Sequence, residues 1–165
     1  MNNLSLIKNK IISSEHLEAK IAYWRFKDYR IVFTNGCFDL LHLGHIDYLS
    51  RAADLGDVLV IGLNSDLSVR KLKGSGRPIQ DQESRAMILA SLQFVGAIIL
   101  FDSDTPYDLI REIQPDVLVK GSDYKPEDIV GADIVLAKGG EIKTIEFLEG
   151  YSTTNIQNKI NKLNL

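Results

Sequence analysis

An apolar run, Ile31-Val32-Phe33, passes through a turn containing Gly36 into a helical period over residues 44–55, and a second apolar run follows at 58–63. Two buried strands separated by one amphipathic helix leave few folds open. Parallel strands need a crossover of that length, and nearly continuous β-branched runs suit strands covered on both faces. Ile46, Leu49, Ala52 and Ala53 give the helix an inward stripe. Gly56 suits its stop.

The same alternation continues along the chain. A helix is expected over 14–27, with Leu17, Ile21 and Trp24 on one face and Ser13 or Ser14 as N-cap. Residues 67–80 hold Arg70, Lys71, Lys73 and Arg77 with Gly74 and Gly76, a composition that reads as a mobile basic loop. A helix over 82–93, a strand over 97–101, a helix with Pro106 in its first turn running to Ile113 and a strand over 116–120 come next. The sequence ends with a helix over 132–138 stopped by Gly139-Gly140, a strand over 142–147 and a helix from Ser152 or Thr153 to about Lys162. Strands alternating with helices imply right-handed crossovers and an α/β fold with a single doubly wound parallel five-stranded sheet. Residues 1–27 are expected to form an N-terminal helical extension and residues 28–165 the main domain.

Bulk properties narrow the function. One domain of 165 residues, 45% hydrophobic and 25% charged, is an ordinary globular chain, and a net charge of −3 argues against a nucleic-acid partner. No apolar run reaches membrane-spanning length, and the opening residues lack the apolar core of a signal peptide, so neither membrane insertion nor export is expected. Cys37 is the single cysteine and cannot form an intramolecular disulfide, which fits the reducing cytoplasm.

Chemistry concentrates behind the first strand, in Thr34-Asn35-Gly36-Cys37-Phe38-Asp39-Leu40-Leu41-His42-Leu43-Gly44-His45. A strand, a glycine turn and a helix start aim unpaired N–H groups and the positive end of the helix dipole at one volume, where a phosphate binds. Two imidazoles there suit a nucleoside triphosphate. A metal centre is disfavoured by ligand arithmetic, since His16, His42, His45 and Cys37 are the chain's whole supply of His and Cys. Neither a GxGxxG after the first strand nor a GxxxxGK[ST] occurs.

The segment GCFDLLHLGH resembles the signature GxFDxxHxGH of the cytidylyltransferase-like nucleotidyltransferases, and Gly150-Tyr151-Ser152-Thr153-Thr154 resembles their second signature, GxSTT. Between them Asn64-Ser65-Asp66, Leu72-Lys73-Gly74, Arg77-Pro78 and the run from Val119 to Glu127 look like the branch that adenylylates heptose 1-phosphate. The resemblance covers roughly residues 28 to 160. It implies a Rossmann-like fold of the HxGH type and transfer of AMP from ATP to D-glycero-D-manno-heptose 1-phosphate, releasing pyrophosphate, for lipopolysaccharide or another surface glycan. ATP is then a co-substrate carrying Mg2+, with no metal held by protein ligands, and a homodimer is expected from the way relatives pair.

In that scheme His42, His45 and Lys73 are catalytic. Cys37, Phe38, Arg85, Gly121, Asp123, Ser152, Thr153 and Thr154 bind nucleotide or phosphate. Asp39, Asp66, Lys71 and Arg77 are candidates for the substrate, with Asp39 able either to orient a histidine or to cap the turn. One departure stands out: Phe147-Leu148-Glu149 replaces the Arg-Thr-Glu that many relatives carry before the second signature. This weakens a CTP reading. A glycerol 3-phosphate cytidylyltransferase, a guanylyl-transferring heptose enzyme and a non-catalytic nucleotide-binding module are the alternatives.

Overall fold

A computed structural model of the chain describes residues 2–122 and 128–163. Five parallel strands form its sheet: β1 (Ile31–Gly36), β2 (Val58–Asn64), β3 (Val95–Phe101), β4 (Val117–Gly121) and β5 (Glu141–Ile145), in the order β3-β2-β1-β4-β5. The helices are α1 (Asn3–Lys8), α2 (Ser14–Phe26), α3 (Leu43–Ala53), α4 (Asp66–Lys73), α5 (Gln82–Ala90), α6 (Tyr107–Ile113), α7 (Ala132–Ala137) and α8 (Thr153–Leu163). The expected doubly wound α/β sheet is therefore the one observed.

Strand alternation builds the two layers. Ile31 and Phe33 of β1, Val58 and Val60 of β2 and Leu118 of β4 point to one face, where Leu17, Trp24, Leu109, Ile110 and Val135 cover them. Val32, Leu59, Ile61, Val117 and Val119 point to the other, beneath Leu49, Ala52, Ala86 and Leu89. The period of two along each strand is what makes a run hydrophobic throughout and still able to feed two cores. Each buried valine, leucine, isoleucine or phenylalanine among them contributes about 1.5–3 kcal/mol.

The leading segment joins both layers. Ile12 N–H donates to the Ile98 carbonyl at 2.9 Å and Ile98 N–H to Lys10 at 2.8 Å, a parallel bridge that covers the β3 edge. Leu17 and Trp24 enter one core, while Ile7 and Ile11 pack against the other.

The mobile loop expected over 67–80 is corrected in its first half, which is α4. Ser65 caps the helix by accepting from Ser68 N–H at 3.2 Å, and Ser68 and Val69 are buried. Arg70, Lys71 and Lys73 occupy the last turn, where the helix dipole favours cations. Smaller corrections fall at element ends. β3 starts at Val95, β5 stops at Ile145, α5 stops at Ala90, and Pro106 caps α6 from outside. No helix among the described residues is long and apolar enough to cross a membrane.

Candidate active site

Consecutive strands step outward from β1 in both directions, so β1 and β4 flank the point where the winding reverses. Ligands in open α/β sheets bind outside the carboxyl ends of the strands at that point. A cleft of about 500 Å³ lies there, lined by Asn35 and Gly36 at the end of β1, Cys37 to Asp39 after it, Asn64 at the end of β2, Lys120 and Gly121 of β4, and Lys73 at the end of α4. His45, Tyr48, Phe147 and Thr153 close one side, and Asp104, Thr105 and Pro106 lie on the loop after β3.

The two histidines stand at the start of α3. Their rings stack at 3.8 Å with planes 19° apart. His42 is the N-cap residue but makes no side-chain capping bond, and the first turn carries no acidic residue. The helix terminus is thus left for an anion. His45 lines the cleft, while His42 lines an adjoining groove of about 320 Å³ with Tyr151 and Ser152 at the start of α8. Both Nδ1 atoms are buried without a hydrogen-bond partner.

Gly44 makes this stack possible. A Cβ there would sit 3.1 Å from His42 Nδ1 and 3.2 Å from the Tyr151 Cβ. Gly36 does the same for the other ring in the turn, since its Cβ would lie 2.9 Å from the Phe38 ring, whose edge packs on His45 at 5.3 Å.

Electrostatics keep His45 neutral. Burial first, then the neighbouring His42 and the Lys73 charge, lower its titration to about 4. Burial lowers His42 as well. Burial pushes the Cys37 thiol up and outweighs the nearby cations, so it stays protonated at neutral pH. Lys73 Nζ has no hydrogen-bond or ion-pair partner among the described residues.

Asp39 is turned away from the histidines and holds the loop before α5. Its carboxylate accepts from Ile79 N–H at 2.8 Å, Gln80 N–H at 3.0 Å and Arg77 Nη1 at 2.7 Å. Burial would raise this carboxyl, but those three donors prevail and hold it below its ordinary value. Arg77 also donates to Gln157 of α8, so one chain of contacts ties the turn after β1 to the second signature.

Among the residues expected in the site, Cys37, Phe38, Asp39, His45, Lys73, Gly121 and Thr153 converge on the cleft, with His42 and Ser152 in the groove beside it. Ser152 Oγ accepts from Asn155 N–H at 3.1 Å, a helix cap. Thr154 is exposed and lines neither space. Asp123 lies outside the described residues. Arg85 and Asp66 pair with each other at 2.8 Å behind the cleft wall, and Lys71 pairs with Asp104 at 3.7 Å at the rim.

Sequence reasoning missed Asn35, Tyr48, Asp104, Thr105 and Lys120 as lining residues. Lys120 carried a legible signal, a lysine inside the otherwise apolar β4, where it is 9% exposed and donates to Asn35 Oδ1. Asp104 and Thr105 follow the carboxyl end of a strand, the position where α/β ligands bind.

The chain matches the Cytidylyltransferase-like family over residues 33–159. It is 51% identical over 153 residues to a bifunctional protein HldE of Wolinella succinogenes, covering 93% of this chain and 31% of that protein. A bifunctional protein HldE of a Nitratiruptor species is 58% identical over 127 residues, 77% of this chain and 27% of that one. The chain thus spans about a third of the length of these curated relatives. Among solved structures, a lipopolysaccharide core biosynthesis protein from Thermoplasma volcanium superposes with a TM-score of 0.58 at 30% identity, covering 75% of this chain and 99% of that one. A pantoate-beta-alanine ligase from Francisella tularensis shares the fold at 17% identity, with a TM-score of 0.60 over 94% of this chain and 79% of the other.

Proposed function

This chain belongs to the cytidylyltransferase-like family and is a nucleotidyltransferase, and we propose that it transfers AMP from ATP to D-glycero-D-manno-heptose 1-phosphate. The observation that carries the reading is the stacked His42–His45 pair, with buried unpartnered Nδ1 atoms, at an uncapped helix start beside Lys73, which is unpaired among the described residues. The runs that resemble the heptose-adenylylating branch support the acceptor. Similarity to a lipopolysaccharide core biosynthesis protein supports a role in surface glycan assembly.

In the reaction an oxygen of the acceptor phosphate forms a bond to the α-phosphorus, and the bond from that phosphorus to the bridging oxygen breaks. Pyrophosphate leaves with the electron pair. A phosphate monoester is already a dianion near neutral pH, so no general base is required, and alignment with charge stabilisation does the work. The N–H groups of the turn at Cys37 and Phe38 would hold phosphate oxygens of the nucleotide. His42 and His45, neutral at pH 7, would each donate one N–H as charge moves onto the bridging and leaving oxygens, and each such donor could contribute about 3 kcal/mol. Ser152 and Thr153, at the start of α8, would meet the outer phosphates. Lys73 would meet acceptor and triphosphate together, and Lys120, at the opposite wall, adds a cation near the acceptor.

No group of three or more His, Cys, Asp or Glu among the described residues could hold a metal ion. Magnesium carried by the triphosphate would neutralise part of the phosphate charge.

The test is pyrophosphate release with magnesium and each of ATP, CTP, GTP and UTP, against both anomers of heptose 1-phosphate and against glycerol 3-phosphate. Release with ATP and one heptose anomer is expected. Release with CTP and glycerol 3-phosphate would keep the mechanism and overturn the substrates, and no release with any pair would overturn the reaction.

A further inference from the structure

We propose that Arg85 fixes the orientation of the Cys37–Phe38 peptide and thereby aims the Phe38 N–H into the cleft. It is a positioning residue, and the assignment rests on the phosphate-binding reading of that turn. Arg85 lies on α5 with its side chain fully buried. Nε donates to the Gln80 carbonyl at 3.0 Å, Nη1 to the Cys37 carbonyl at 2.6 Å and the Asn64 carbonyl at 2.9 Å, and Nη2 to Asp66 Oδ1 at 2.8 Å. Three of these four acceptors are main-chain carbonyls, from the turn after β1, the end of β2 and the segment entering α5. The guanidinium therefore grips backbone at three places and does not line the cleft.

A trans peptide is planar, so its carbonyl and its N–H point in opposite directions. With the Cys37 carbonyl drawn inward onto Arg85, the Phe38 N–H must face away from the guanidinium. It has no acceptor among the described residues, and both Cys37 and Phe38 line the cleft. Phe38 has φ 44, a left-handed conformation that a bulky aromatic adopts only at a cost. Something must hold it. Its ring is fixed over Gly36 and against His45, and the peptide before it is fixed by Arg85. Without the guanidinium, that peptide is free to rotate and present a carbonyl where a phosphate oxygen should sit. Lysine cannot replace the fork, because one ammonium cannot reach three carbonyls and a carboxylate in fixed directions.

Two variants of the full chain test this. In Arg85→Lys, kcat should fall roughly 100-fold, the effect of losing one oriented donor, and the Phe38 amide should lose the NMR shift that inorganic pyrophosphate induces in the wild type. The second replaces Phe38 with its α-hydroxy acid, removing the N–H by an ester while Arg85 stays, and should lose kcat to a similar degree with an unchanged melting temperature. A folded Arg85→Lys protein with wild-type kcat and a responsive Phe38 amide overturns the proposal. So does an ester-bearing chain of wild-type rate, which decides the matter alone if Arg85→Lys does not fold. Failure of the wild type to bind ATP or pyrophosphate at any residue would instead overturn the nucleotide reading, whereas binding elsewhere without a Phe38 response would overturn only the role of this turn.

Discussion

Replacing His45 with glutamine removes a group whose titration is displaced by its surroundings. The imidazole is lowered from 6.5 to about 4 by burial first, and then by the ring stacked on it at 3.8 Å and the Lys73 charge. In the unfolded chain the same ring takes up a proton near 6.5. Between those values the unfolded state binds more protons than the folded one, so stability is lost as the pH falls. At about 1.36 kcal/mol per pH unit, this loss reaches about 2 kcal/mol at pH 5 and about 3 kcal/mol at pH 4, and then levels off. Glutamine does not titrate. Urea unfolding of wild type and His45→Gln at matched ionic strength should therefore give a stability difference that is constant above about pH 7.5 and moves against the wild type by those amounts on acidification. Asp39 and Asp116, whose carboxyls are also shifted, are present in both chains and cancel in the difference. Parallel stability curves from pH 7.5 to pH 4 would refute the reasoning, because they would mean that the ring titrates alike in both states.

Three further outcomes follow from contacts already described. Lys73→Met should lower kcat/KM about 100-fold, because it removes from the cleft a cation with no partner among the described residues, while the melting temperature shifts by no more than about 2 °C; a comparable loss of stability would make the lysine structural. Gly44→Ala gains up to about 1 kcal/mol of helix propensity but places a Cβ 3.1 Å from His42 Nδ1. Melting should stay near wild type while kcat falls at least about tenfold through displacement of that ring, and retained activity would show that the stack tolerates the methyl. Asp39→Asn weakens the pair with Arg77 and should cost about 2 kcal/mol at pH 7. Since the Asp39 carboxyl is held below its ordinary value, that gap should close as the pH falls through its lowered titration, as thermal melts from pH 7 to pH 2.5 would register.

The sheet was legible because its determinants are local. Val58 to Leu63 reads as a strand covered on both faces, and the glycine turn after Phe33 announced both the crossover and the position of the cleft. α4 was hidden because its composition is that of a loop; Ser65 as cap and Val69 as anchor decide it, and each is a single residue. α1, with no buried residue of its own, offers no periodic signal at all. In the site, most residues inside the two signatures were readable, and so were Lys73 and Gly121, whereas Asn35, Tyr48, Asp104, Thr105 and Lys120 were not. Asn35, Asp104 and Lys120 come together only through the 3-2-1-4-5 order, which is a property of strand pairing and not of any one segment.

The same distinction separates the cations. Lys71, Lys73, Arg77 and Arg85 look alike in sequence, yet three of them already answer a carboxylate: Lys71 meets Asp104 at 3.7 Å, Arg77 meets Asp39 at 2.7 Å and Arg85 meets Asp66 at 2.8 Å. Two of these pairs are largely buried and fix backbone around the turn, with Arg85 on the Cys37 carbonyl and Asp39 on the Ile79 and Gln80 amides. Lys73 alone of the four is unpartnered among the described residues, and its charge reaches His45. A cleft with all four cations uncompensated would bind triphosphate and departing pyrophosphate tightly and equally, which lowers KM without accelerating the chemical step. Pairing three of them leaves the neutral imidazoles, backbone N–H groups and two lysines, Lys73 and the Asn35-bound Lys120, facing the cleft. In the proposed reaction those donors would strengthen their interactions as charge moves onto the bridging oxygen, which would favour the transition state over the bound substrates.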